Sequence, residues 1–172
     1  MKKRSRLLIV MRGIPGSGKS TIALKLAQCL RATLVEYDDI KSELIDVIDR
    51  KLIARTAYNI AKSLVKTNLK AKNDIIFDSL GYFSSAFRDY RKNLPQHYKL
   101  IIFECEAEDP PLIHKRILNR KDIKKSQNRI VFNVADSKKK IEKVKHIYNW
   151  KLKTNKPIHE TLNEALRFLR LI

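Results

Sequence analysis

Three of the chain's four glycines fall within six residues, in "GIPGSGKST" (Gly13 to Thr21). An apolar run leads into this segment, and a lysine and two hydroxyls close it. Glycines let several backbone N–H groups turn inward and let the backbone approach another group closely. The preceding segment, Arg6 to Arg12, is apolar from Leu7 to Met11 without alternation, as expected of a strand covered on both faces. After the loop, Ile22, Leu24, Leu26, Ala27 and Leu30 predict a helix from about Lys19 to Leu30. A buried strand, a glycine turn and a helix N-terminus in succession make a cradle for an anion, because the helix dipole adds to the inward amides.

The spacing is that of the phosphate-binding loop G-x-x-x-x-G-K-[ST], with Gly13, Gly18, Lys19 and Ser20 at the fixed positions. Gly13, Pro15, Gly16, Ser17, Gly18, Lys19, Ser20 and Thr21 are therefore the candidate nucleotide-binding residues. Lys19 is expected to reach the β and γ phosphates of ATP, and the Ser20 hydroxyl to hold Mg²⁺. ATP and Mg²⁺ are the cofactors this motif implies. It says nothing about a second substrate.

Further along, "ATLVEYDD" and "NDIIFDSLG" read as strands ending in acids, and "YKLIIFECEA" as a fourth strand. Helices are expected from Asp39 to about Arg50, near Leu52 to Ala71, over "SSAFRDYRKNL", and from Asp109 to Arg120, where prolines open the first turn. "RKDIKKSQNRI" reads as a charged loop. "DSKKKIEKVKHIYNWKL" and "IHETLNEALRFLRL" read as amphipathic helices. No internal repeat appears. Strands alternating with helices imply a parallel sheet covered on both sides.

Three sets of residues bear on chemistry. Asp38 and Asp39 follow the second strand, and in open parallel sheets ligands lie beyond the carboxyl ends of the strands. One aspartate is expected to cap a helix. The other, Asp38, is expected to accept a hydroxyl proton as a phosphoryl group transfers. Asp78, after "IIF", fits a carboxylate that holds Mg²⁺ directly or through water. Arg116, Arg120 and Arg129 flank the charged loop, where lid arginines neutralise charge on a transferring phosphoryl group; Arg116 and Arg120 share a helix face.

The 37 Lys and Arg against 18 Asp and Glu give a formal charge of +19. Pro111 to Lys156 holds 15 Lys and Arg and 3 Asp and Glu, a net of +12. Such a stretch favours polyanions, though a lysine-rich surface alone reaches the same charge. Cys29 and Cys105 have no metal-site or disulfide spacing; both are expected to be small buried hydrophobes in a reducing cytoplasm. No apolar run reaches the roughly 20 residues of a membrane helix, and the basic, briefly apolar start reads as a strand rather than a signal peptide.

"GIPGSGKST", "YDDIK", an apolar strand ending in Asp, and "HKRILNRK" together resemble the P-loop kinase group. That group includes polynucleotide 5′-kinase domains, seryl-tRNA kinase, zeta toxins and small-molecule phosphotransferases. The resemblance spans roughly Leu7 to Arg120, and its glycine loop is its most specific part. It implies an α/β P-loop NTPase fold: a three-layer sandwich with a central parallel sheet and an adenylate-kinase-like core. The expected plan is a single domain over residues 1–172, with a core of about 6–110 plus the C-terminal helix and a basic lid of about 111–150.

The resemblance also implies transfer of the ATP γ-phosphate to a hydroxyl. The polynucleotide kinases carry Asp-Asp-x-Arg after the second strand. The first Asp, their general base, falls on Asp38, and Lys41 stands at the arginine that holds the acceptor. A lysine pairs with phosphate as a point charge, not a fork, so the acceptor stays open among an RNA or DNA 5′-hydroxyl, a nucleotide and a small molecule. The family's lid arginine falls on Arg116 or Arg120, and "FDSLGYFSSAFR" makes Arg88 an acceptor-site candidate. A non-catalytic ATP-binding, RNA-interacting module is the alternative of another class. A motor ATPase is disfavoured because Ser79, not an acid, follows Asp78.

Overall fold

The computed structural model describes residues 5–79, 90, 93–119 and 148–172. Its elements run β1 (Arg6–Arg12), α1 (Lys19–Leu30), β2 (Thr33–Glu36), α2 (Tyr37–Glu43), α3 (Arg50–Lys70), β3 (Ile75–Asp78), β4 (Tyr98–Glu106), α4 (Pro110–Leu118), β5 (Tyr148–Lys153) and α5 (Ile158–Leu171). The five strands form one parallel sheet in the order β2-β3-β1-β4-β5. The first strand is thus central, with later strands added on one side and then on the other. The reversal of order beside β1 places a crevice at the carboxyl end of that strand, where the glycine loop leaves it.

Side-chain alternation splits the core into two layers. Leu8 and Val10 of β1, Ile75 and Phe77 of β3 and Ile102 of β4 face α3, which answers with Ala57, Ala61 and Val65 at a four-residue spacing. Leu7, Ile9 and Met11, with Ile76, Ile101 and Phe103, face α1 and α5 through Ile22, Ala23, Leu26 and Ala165. Both faces of β1 are therefore buried, which is why its sequence does not alternate. The helix–sheet–helix layering is the three-layer α/β sandwich its motifs imply.

Several local expectations change. On α1 it is Ala23 that faces the sheet, while Leu24 is exposed. The helix expected from Asp39 stops at Glu43 and starts two residues earlier, at Tyr37. Neither aspartate caps it: the cap position is Glu36, without a side-chain hydrogen bond, and Asp38 and Asp39 fall in the first turn. Tyr148 to Lys153 form β5 rather than the end of a helix. They pair with Ile101 to Glu106 of β4. Cys29 is exposed; only Cys105 is the buried thiol expected of both.

Candidate active site

The loop's shape follows from its glycines. Gly18 holds φ at +83° as it enters α1, a conformation that favours glycine, and no side chain caps the helix there. The first amides of α1 consequently meet no capping side chain, as an anion site requires. A Cβ on Gly13 would lie 2.4 Å from Ser17 Oγ and 2.6 Å from the Cys105 carbonyl oxygen. The loop therefore packs onto β4 in a way that excludes any side chain at that position. Ser17 is fully buried, and among the described residues its hydroxyl has no hydrogen-bond partner. Pro15 and Gly16 are buried, and Thr21 is exposed.

Lys19, 4% exposed, projects from the first position of α1 between two carboxylates. Its Nζ lies 3.5 Å from Asp78 Oδ1 and 3.9 Å from Asp38 Oδ2, and 3.5 Å from Ser20 Oγ. Asp78 comes from the end of β3 and Asp38 from the first turn of α2, so three separate elements bring the cluster together. Burial pushes the Asp78 carboxyl above the usual carboxylate range, while Lys19 and a hydrogen bond to Ser20 pull the other way. Its Oδ1 is buried and, among the described residues, faces the Lys19 ammonium. Burial, and then the charge of Asp38, raise the neighbouring Tyr37 hydroxyl. The Cys105 thiol beneath the loop is pushed up to about 12, chiefly by burial.

These residues fit a phosphate chain and a hard divalent ion. A buried ammonium, uncapped helix amides and an unpartnered serine hydroxyl suit phosphate oxygens. Asp78 and Ser20, side by side, suit Mg²⁺, which keeps several waters and takes few protein ligands. Among the described residues no group of three His, Cys, Asp or Glu converges into a protein-only metal cage.

A cavity of about 300 Å³ opens beside the loop, lined by Gly16, Gly18, Thr21, Ile22, Arg116, Thr154 and Ile158 among others. The Arg116 guanidinium comes from α4 and donates to the Thr154 carbonyl at 2.6 Å and the Gly16 carbonyl at 3.5 Å. It lies in this cavity, which Lys19, Asp38 and Asp78 do not line. Lys41 is half-buried on α2, one turn from Asp38. Arg88, Arg120 and Arg129, with most of the expected lid, lie outside the described residues.

Two residues at the site escaped the sequence reading. Arg12 is 1% exposed at the end of β1, in register with Glu104 of β4. A charged residue closing an otherwise apolar run was its only signal. Thr154, 4% exposed, follows an edge strand that reads as helix, so nothing in the sequence places it near the loop.

A family model described as an AAA domain (AAA_33) matches residues 8–142. A proposed kinase from Chloroflexus aurantiacus is 19% identical, with a TM-score of 0.72 over 95% of this chain and 98% of that one. The Mycobacterium tuberculosis APS kinase CysC, solved with AMPPNP and APS, is 13% identical, with a TM-score of 0.65 over 98% and 99%. A chain of the Pnkp1/Rnl/Hen1 RNA repair complex is 19% identical, with a TM-score of 0.59 over 82% of this chain and 48% of that one. No curated protein sequence matches the chain. At these identities the structural likenesses establish the fold. The match over residues 8–142, well beyond half the length, establishes more: the chain belongs to the AAA_33 family of AAA domains, within the P-loop kinase group its motifs resemble.

Proposed function

We propose that the protein is an ATP-dependent kinase that transfers the γ-phosphoryl group to a hydroxyl. The observation that carries this reading is the buried Lys19 ammonium held between Asp38 and Asp78 at the mouth of the glycine loop. Lys19 and the α1 amides bind the β and γ phosphates and neutralise charge as it spreads over the transferring group. Asp38 accepts the acceptor's O–H proton while the acceptor oxygen bonds to the γ-phosphorus. The bond from that phosphorus to the β–γ bridging oxygen breaks, and ADP leaves with the electron pair. Ser20 and Asp78 hold Mg²⁺, which supplies further charge neutralisation when bound. The cavity beside Arg116 and Ile22 takes the base.

Lys41, one turn from Asp38, stands where the resembling kinases keep an acceptor-holding arginine and is assigned to an anionic acceptor, with Arg88 assigned to the acceptor site and Arg120 to the lid. A nucleic-acid 5′-hydroxyl is the favoured acceptor, on the +12 stretch from Pro111 to Lys156 and the fold shared with the RNA repair complex. A small-molecule hydroxyl is the second reading, favoured by likeness to APS kinase across nearly the whole of both chains.

The test is turnover of γ-labelled ATP with Mg²⁺ on a 5′-hydroxyl RNA oligonucleotide, total tRNA, and a panel of nucleosides and sugars. Label on RNA that disappears with Asp38→Asn supports the first reading. Label on a small molecule alone supports the second. ATP bound with no label on any acceptor would overturn the kinase assignment in favour of a binding module.

A further inference from the structure

When the amides of a glycine loop face inward, its carbonyls face outward, and buried carbonyls require donors. Two donors meet them here, both beside the base cavity. Thr154 Oγ1 lies 2.5 Å from the Ser17 carbonyl and 3.1 Å from the Glu106 carbonyl. A hydroxyl has one proton, and the shorter contact takes it. Glu106 is served in any case by the Thr154 amide at 2.9 Å. The Thr154 carbonyl in turn accepts from Arg116, whose other terminal nitrogen reaches the Gly16 carbonyl. Thr154 is itself fixed, because Thr161 of α5 bonds the Lys153 carbonyl at 3.0 Å. One residue thus ties the ends of β4 and β5 and the arginine of α4 to the outer face of the glycine loop, while lining the cavity.

We propose that Thr154 is a positioning residue: its hydroxyl holds the Ser17 carbonyl outward, and so aims the loop amides at the phosphates. Occupancy of the base cavity and geometry of the phosphate cradle are coupled through it. This rests on the reading of the site as an ATP site. The base touches the side of Thr154 that lines the cavity; the phosphates feel it only through the loop.

Thr154→Val keeps the shape and removes the hydroxyl; Thr154→Ser keeps the hydroxyl. Three probes separate the contributions: ATP, inorganic tripolyphosphate and adenosine. With Thr154→Val, affinity for ATP and tripolyphosphate is expected to fall about tenfold, the size of one lost buried hydrogen bond, with adenosine changed less than about twofold. The KM for ATP should rise while the KM for the acceptor stays put, and Thr154→Ser should restore both. Should the valine variant fail to fold, Thr154→Ala reads the same split. Equal losses for adenosine and tripolyphosphate would overturn the proposal, as would unchanged ATP binding or a lowered melting temperature without the split. Wild-type protein that binds no ATP would overturn the parent reading, and the proposal with it.

Discussion

Lys19 is the residue on which the site turns, since a buried ammonium between two carboxylates is held ready for a more negative partner. Lys19→Ala is expected to abolish phosphoryl transfer; turnover near wild type would remove the assignment. Asp38→Asn should lower kcat by ~10²–10⁴, the range of a lost general base, with little change in ATP affinity. Equal loss of ATP binding would instead put Asp38 on the metal. Asp78 gives a pH dependence. Burial raises its carboxyl in the folded protein, so over that window the folded state binds more protons than the unfolded chain. Stability therefore falls as pH rises from the ordinary carboxylate value through the raised one. Melts of Asp78→Asn and wild type should coincide below that window, with the variant melting higher at neutral pH. A variant melting lower there would mean that attraction to Lys19 outweighs burial. That Lys19, Ser20, Asp38 and Asp78 come together was legible because a phosphate-binding motif fixes spacing and strand ends fix position. Thr154 was not, because its role depends on a carbonyl 137 positions earlier in the chain.

Among the elements, β1, α1, β3 and β4 follow the sequence pattern closely, since runs such as Leu7–Met11 and Ile75–Phe77 carry no other period. β5 was misread for an equally physical reason. As an edge strand it buries Leu152 while Trp150 and its lysines stay exposed. Tyr148, Trp150 and Leu152 then alternate within a lysine-rich stretch that also satisfies a helical period. The same ambiguity put Leu24 rather than Ala23 on the inner face of α1. The turn between β1 and α1 offers a direct test. Gly13→Ala places a methyl against backbone of β4, which does not rotate away. A loss of about 1–3 kcal/mol in urea unfolding is expected, as for overpacked sites. An unchanged midpoint would mean that the loop shifts freely off the strand.

At the scale of the molecule, charge and sheet order set behaviour. With +19 overall, single-stranded RNA affinity should fall with salt at a log–log slope of about −0.7 per phosphate contacted. A flat dependence would remove the polyanion reading. Chelating Mg²⁺ should stop transfer while ATP still binds through Lys19 and the α1 amides. Among the described residues no helix is long and apolar enough to cross a membrane. The parallel sheet was foreseeable from alternating strands and helices; its order was not, because periodicity carries no information on which strands are neighbours. That order has a consequence for synthesis. The loop is synthesised well before Thr154, which meets its Ser17 carbonyl from 137 positions further along the chain. Through that interval the growing chain displays the glycine-loop motif without the contact that braces it. Contacts across so long a span form slowly, so on the proposed reading tight nucleotide capture is expected late, after the sheet has closed.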